Sequence, residues 1–417
     1  MIEIKYGAQL LNLVIHDGKT FRSAIYELFP DEKKNFMSAN ISIALCFYAI
    51  KHYFLFENIV NGLGINLSKD KKSLFYICLA NNFYKKVIPV NSVNHYCETV
   101  LTSEEFKAVL PILKRKENLE EMITFEKDSD FYYATKYNIP IWIIHMWRKQ
   151  YGSEVINDFL DSLMKIGYQT YSINTLRTST EKILAKYGDF TSPFENCVMY
   201  QGLKRYFNTE EYKRGDYFIL RLGYKCLFDE IIDPDEEMLL YSGLNDYIVK
   251  EIIVKGDKKQ SLNIAVPDLN KRPEIFRFLR ENNVKNVNLF EAKDYFSLKA
   301  GVSYKVDKVI VFPDSSHFDL ACTYPDYLFH FDRDDLDGII QKEKDVLELC
   351  SGCVSDGGLL FYIVDTLNKK ESEQIISDFL AKHKDFERIS EKQYLPSHPF
   401  STLFYYAILS KKEESND

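Results

Sequence analysis

Positive charge is the first thing this chain lacks. Its 417 residues carry 53 Lys and Arg against 61 Asp and Glu, a formal net charge of -8. Neutralising a phosphate backbone needs a basic surface, so strong non-specific nucleic-acid binding by bulk charge is excluded, and only a local basic patch is left to do it. Glycine and proline are scarce, at 17 and 12 residues, which rules out a low-complexity or collagen-like chain. The eight cysteines are scattered without a framework, an arrangement that suits a reducing cytoplasm. The close pair Cys350-x-x-Cys353 supplies two ligands where zinc needs four, so it reads as packing and no metal is expected. Long apolar runs are missing as well. Ile41 to Ile50 is the longest and is closed by Lys51, too short to span a bilayer. The opening MIEIKYGAQLLNLVIHDGKT has no cleavage pattern, so no signal peptide is expected.

What is present is core material. Apolar residues make up 46% of the chain, with 30 Phe and 29 Tyr, enough to bury the cores of two or three domains. Residues 1–127 read as helical: Ile41, Ala44, Leu45 and Tyr48, then Leu74, Ile77, Cys78 and Leu79, then Val93, Tyr96 and Val100 recur at helical spacing. Asn40 and Ser92 are candidate caps. Lys114-Arg115-Lys116 reads as a solvated helix end or a phosphate contact, and the charged stretch Lys116 to Asp130 as a linker. Both tryptophans, Trp142 and Trp147, lie in the segment that follows.

From about residue 226 strand and helix patterns alternate. Leu262–Val266, Val287–Phe290, Val309–Phe312 and Leu359–Val364 read as strands; Arg272–Asn283, Asp334–Cys350 and Lys370–Lys382 read as helices. That alternation predicts a parallel, doubly wound sheet. Thr402–Leu409 would close an edge hairpin, and the chain ends in a solvated tail. Two stretches organise this half. Val309-Ile310-Val311-Phe312 stops in the polar turn Pro313-Asp314-Ser315-Ser316, and a Gly357-Gly358 turn introduces a strand that ends on Asp365-Thr366. Polar residues at the carboxyl ends of buried parallel strands face the ligand crevice, so this is where chemistry is expected.

Together these stretches resemble the Sun/Fmu family of RNA cytosine-C5 methyltransferases, whose bacterial members modify 16S ribosomal RNA. That family reads Asp-Ala-Pro-Cys-Ser at the first turn, followed by Pro-Asp, and Gly-Gly-x-Leu-x-Tyr-x-Thr-Cys-[ST] at the second strand. Pro325-Asp326, Gly357, Gly358, Leu360, Tyr362 and Thr366 match. Pro140-Ile141-Trp142, Trp147, Tyr151-Gly152 and Asn174 match the segment that precedes the catalytic half. The resemblance implies three parts: a NusB-like helical domain over 1–127, a small α+β module over 138–225 that presents RNA, and a class I, Rossmann-like methyltransferase domain over 226–412. A linker, 128–137, and a tail, 413–417, complete the expected division. The RNA-binding positions it implies are Asn174, Arg148 and Lys149, although Ser172 replaces an arginine beside Asn174.

At the site the resemblance implies losses. Ser315 stands where the family has its first cysteine, and Asp365 where it has the nucleophilic one. A thiolate adds to cytosine C6 and makes C5 nucleophilic, combining attack with acceptable departure; a carboxylate does neither well. His317 would point elsewhere if the turn continues as an extended chain. In the first cofactor motif the acid has become Leu240, the two glycines Asp246 and Tyr247, and the lysine Ile248. Tyr247 would crowd the methionine part of S-adenosylmethionine (SAM). Asp268 and Asp294 are left as candidates for the ribose and adenine acids. The expectation is an inactive relative that holds no cofactor and binds RNA, a ribosomal particle or a protein partner. An active SAM-dependent enzyme with an atypical site is the alternative, and a protein–protein scaffold the third reading.

Overall fold

The computed structural model describes residues 1–30, 37–163, 168–201, 206–233, 235–243, 246–257, 261–299, 305–322, 324–396 and 402–413. Contacts divide them into two compact units, one of residues 1–156 and 320–332, the other of residues 157–319 and 333–417.

The first unit is helical. Its helices include Ile2–Ile15, Met37–Lys51, Tyr53–Gly62, Lys69–Leu79, Val90–Val100 and Ser103–Leu113, then Asp130–Tyr137 and Ile141–Tyr151. The apolar spacing read from the sequence becomes one core around Leu45, Phe56, Phe75 and Ile77. Gly7 lets two helices close, since a Cβ there would stand 3.2 Å from Ile77. Asn40 and Ser92 are not caps: both lie inside helices, which begin three and two residues earlier, at Met37 and Val90. Pro89 opens the second of these with no side-chain cap, because its fixed φ already suits a helix start. Trp147 is fully buried, and the Trp142 ring stacks 6.2 Å from Phe331. The Pro-Asp match has a local job. Asp326 accepts from the backbone N–H of Phe21 at 2.8 Å, which satisfies an open helix N-terminus. No single described helix is long and apolar enough to cross a membrane, although the bent pair Met37–Lys51 and Tyr53–Gly62 passes the same test together.

The second unit holds two sheets. The smaller consists of β1 (Gln169–Ile173), β2 (Thr191–Phe194), β3 (Cys197–Tyr200) and β4 (Tyr217–Ile219), in the antiparallel order β2-β3-β1-β4. Tyr171, Phe190, Tyr206 and Tyr217 fill its core. The larger consists of β5 (Met238–Ser242), β6 (Leu262–Val266), β7 (Val287–Glu291), β8 (Val306–Phe312), β9 (Val354–Val364), β10 (Phe386–Tyr394) and β11 (Phe404–Lys411). Its order is β10-β11-β9-β8-β5-β6-β7, with β5 to β9 parallel and β11 antiparallel to both neighbours. Alternate residues feed two cores: Leu240, Ile264, Ile310 and Phe361 on one face, Leu239, Ala265, Val309 and Leu360 on the other. Both faces are covered, which is why these strands read as unbroken apolar runs.

Gly357-Gly358 is not a turn before β9 but lies inside it, where the pairing with β8 shifts register. Gly357 has φ +78°, and a Cβ on Gly358 would stand 2.9 Å from the Asp307 carbonyl oxygen, so this is a bulge that needs glycine. Asn174 is fully buried. Its amide donates to the Gly215 carbonyl at 2.8 Å and to Asn282 Oδ1 at 2.9 Å, tying the small sheet to the helix Pro273–Glu281, and its Oδ1 accepts from Leu176 N–H at 3.2 Å. Asn174→Ala leaves these partners unmet and is expected to lower stability by about 2–3 kcal/mol in urea denaturation. An unchanged midpoint would show that the tie carries no stability.

Candidate active site

The strand order reverses between β5 and β8, which opens a crevice at their carboxyl ends. There the turn after β8 and the turn after β9 are stapled by one buried carboxylate. Glu371 accepts from the Ser316 N–H at 2.7 Å, from Thr366 Oγ1 at 2.9 Å and from Asn368 Nδ2 at 2.8 Å. The Ser316 and Thr366 hydroxyls meet at 2.9 Å, and the Tyr362 hydroxyl donates to the Glu371 carbonyl. Behind it the fully buried Glu343 carboxyl lies against that of Glu371. Burial first, then the neighbouring charge, raises Glu343 well above the ordinary carboxylate range. Burial also raises Glu371, and its three donors oppose that rise. Neither Glu343 oxygen has a hydrogen-bond partner among the described residues. A proton held on this pair would relieve the repulsion between two buried carboxylates.

The staple brings Ser315 and Asp365 together. Ser315 Oγ donates to the Asp365 carbonyl at 3.1 Å and accepts from the His317 N–H at 3.1 Å, so its hydroxyl is already engaged. The Asp365 side chain is buried and its Oδ1 has no partner among the described residues. Burial pushes its carboxyl up to about 7, with Arg221 pulling the other way. The chain does not run on extended. His317 adopts φ +49°, a left-handed conformation costly for a residue with a Cβ, and this folds its ring back to 3.9 Å from Asp319 Oδ1. Asp319 is buried, and Arg221 holds its Oδ2 at 2.5 Å. Sequence reasoning missed Arg221 and Asp319 as site residues. The one available signal was Leu220-Arg221 standing where the family has Gln-Asp.

On the cofactor side, a Cβ on Gly243 would stand 2.4 Å from Asp314 Oδ1, so the β5 and β8 turns touch at this glycine. Leu244 and Asn245 lie outside the described residues. Asp246 is paired with the buried Arg272 at 2.8 Å, and Arg272 Nε is buried without an acceptor among the described residues. Asp268 caps a short turn by accepting from the Asn270 N–H at 3.0 Å, with Lys271 3.6 Å from its other oxygen. Asp294 is exposed in the first turn of the helix after β7. Tyr247 lines a cavity of about 570 Å³ together with Tyr212, Lys250 and Phe278. The close glycine pair of the motif is gone, with Asp246 and Tyr247 in its place.

Of the RNA-binding candidates, Arg148 bonds Asp130 at 2.6 Å and the Asp128 carbonyl at 2.8 Å, Lys149 is exposed, and Asn174 is buried as described. Cys350 and Cys353 are buried at the amino end of β9, away from this crevice.

No protein-family model matches the chain. It is 20% identical over 305 residues to the probable ribosomal RNA small subunit methyltransferase B of Bacillus subtilis (strain 168), covering 67% of this chain and 68% of the relative. The crystal structure of PH0851 superposes with a TM-score of 0.72 at 16% identity, over 98% of this chain and 99% of that one. NSun6 from Pyrococcus horikoshii, solved with SFG, gives 0.57 at 12% identity over 65% and 97%. A methyltransferase homolog protein from the same organism gives 0.55 at 15% identity over 69% and 100%. The fold is therefore that of a class I, Rossmann-like methyltransferase preceded by a helical domain and a small α+β module. Within that class the chain is similar to members of the Sun/Fmu family, the resemblance its motifs implied.

The Glu343–Glu371 pair makes stability depend on pH. A carboxyl whose folded-state value is raised binds its proton more tightly in the folded chain, so its contribution is full below the ordinary carboxylate value and is lost as pH climbs above it. Glu343→Gln keeps a donor for Glu371 without a charge. Urea denaturation is expected to find the variant more stable than the parent by about 1–3 kcal/mol at pH 8 and little different at pH 4.5. A difference that does not grow with pH would refute the shared proton.

Proposed function

We propose that this chain is an RNA-binding relative of the ribosomal RNA methyltransferases that no longer methylates cytosine C5 through a thiolate adduct. The observation that carries this reading is the Asp365 carboxyl at the end of β9, where the family motif has its nucleophilic cysteine. The adjacent Ser315 hydroxyl is already bonded to the Asp365 carbonyl. A carboxylate is a hard, weak nucleophile toward an aromatic carbon, and its negative charge opposes the electron-rich intermediate. No described cysteine side chain lies at this end of the sheet. RNA is the proposed partner because the Bacillus subtilis relative is named for ribosomal RNA. Exposed Lys149 is the proposed contact residue.

A second reading is favoured by Arg272. Its buried Nε lacks an acceptor among the described residues, and the carboxylate of SAM would supply one. NSun6, which shares the fold, was solved with SFG. In this reading the chain holds SAM with Asp268, Asp294 and Arg272 and acts on an RNA atom that needs no covalent adduct. Titration calorimetry with SAM, filter binding to a small-subunit ribosomal RNA fragment and transfer of radiolabelled methyl separate the two. The first reading expects SAM-independent RNA binding that weakens about tenfold or more as salt is raised, and no label on cytosine. Heat of SAM binding lost in Asp294→Ala and Arg272→Gln would establish the second. Label on cytosine C5 would sink the first.

A further inference from the structure

Three side chains at the ends of β8 and β9 have no job in either reading. The ligand-capable atoms of His317, Asp319 and Asp365 all lie within 4.8 Å of one another. Asp319 Oδ1 and Asp365 Oδ1 are buried and have no hydrogen-bond partner among the described residues, and the two residues are 1% and 4% exposed. Orphaned buried polar atoms are rare in native structures because each costs about 1–3 kcal/mol. Two of them converging on one point, beside an imidazole, mark a place for something absent from the protein's own atoms.

Charge selects what that is. Asp319 is compensated through its other oxygen by Arg221; the Asp365 carboxylate has no contacting cation among the described residues beyond the more distant pull of that same arginine. The neighbouring Ser315 hydroxyl is already turned to a carbonyl and does not reach in as a donor. An anion is repelled and a neutral donor satisfies one oxygen at a time, whereas a divalent cation satisfies both together with the imidazole. One nitrogen and two carboxylate oxygens are the donor set of zinc-class ions. His317 keeps a half-buried ring in a left-handed backbone conformation, and its N–H bonds to Ser315 Oγ. Metal–ligand distances of about 2.0–2.2 Å put tetrahedral ligand atoms roughly 3.4 Å apart. The side chains need to close by about 1 Å, within reach of rotations about their own χ angles.

We propose that His317, Asp319 and Asp365 bind a single divalent metal ion of the zinc class, with an open fourth position on the half-exposed histidine side. None of its three donors is among the residues assigned above to SAM or to RNA, so the metal can be tested under either reading of the function. It would place a Lewis acid at the spot where the family carries its thiolate.

The test is cobalt titration of the full chain after stripping with chelator, read by visible absorption, by calorimetry and by thermal melting. The expected result is one Co²⁺ per chain, displaced by Zn²⁺, with a raised melting temperature. Affinity should fall about 100-fold or more in Asp365→Asn and in His317→Ala. His383 lies 2.9 Å from Glu348 Oε2 and 3.9 Å from Asp385, so it is the natural competing surface site, and His383→Ala should leave binding unchanged. If Asp365→Asn does not fold, His317→Ala carries the same decision, because that ring is not part of the core. No stoichiometric uptake, or uptake lost in His383→Ala and kept in His317→Ala, would overturn the assignment.

Discussion

The site depends on the buried Glu371 carboxylate. Two chain reversals, after β8 and after β9, leave polar backbone and hydroxyl groups with nowhere to go in an apolar interior. Glu371 takes three of those donors at once. A carboxylate buried this deeply costs several kcal/mol in desolvation. Its donors offset that cost only if both turns hold one geometry. The staple thus fixes where Ser315 and Asp365 sit, and with them every chemical option at the strand ends.

Those options follow from charge. A thiol can sit neutral in a buried crevice and ionise when a base arrives; a carboxylate is an anion unless its surroundings force a proton on it. With Asp319 and Asp365 close together and Arg221 bonded to one of them, the crevice tolerates a cation or a neutral group and rejects phosphate.

The sheet was legible because its strands are buried on both faces. Leu262–Val266 and Val309–Phe312 are unbroken apolar runs, and the structure makes strands of them. Less visible was anything decided by a single dihedral or a long-range pair. Gly357-Gly358 looks like a turn in sequence, and only the register with β8 makes it a bulge. Asn40 and Ser92 have capping chemistry but fall inside helices, because packing sets the helix start rather than the nearest polar residue. His317 turns back through a positive φ, which sequence reasoning does not assign to a histidine. Arg221 and Asp319 meet across nearly a hundred residues, a pairing that neither local pattern predicts.

The replaced thiol and the unmet acids belong to one physical problem. With Asp365 at the end of β9, the crevice holds a buried carboxyl whose Oδ1 meets no donor among the described residues, since Ser315 and Thr366 are already bonded to the Asp365 carbonyl and to Glu371. Folding tolerates such a charge in one of three ways: a proton, a cation, or a lowered stability. A proton leaves Asp365 neutral and chemically idle, while a cation turns the same two oxygens into ligands and gives the strained His317 a purpose. The turns at these strand ends hold their geometry through the Glu371 staple beneath them, whichever group occupies the crevice above.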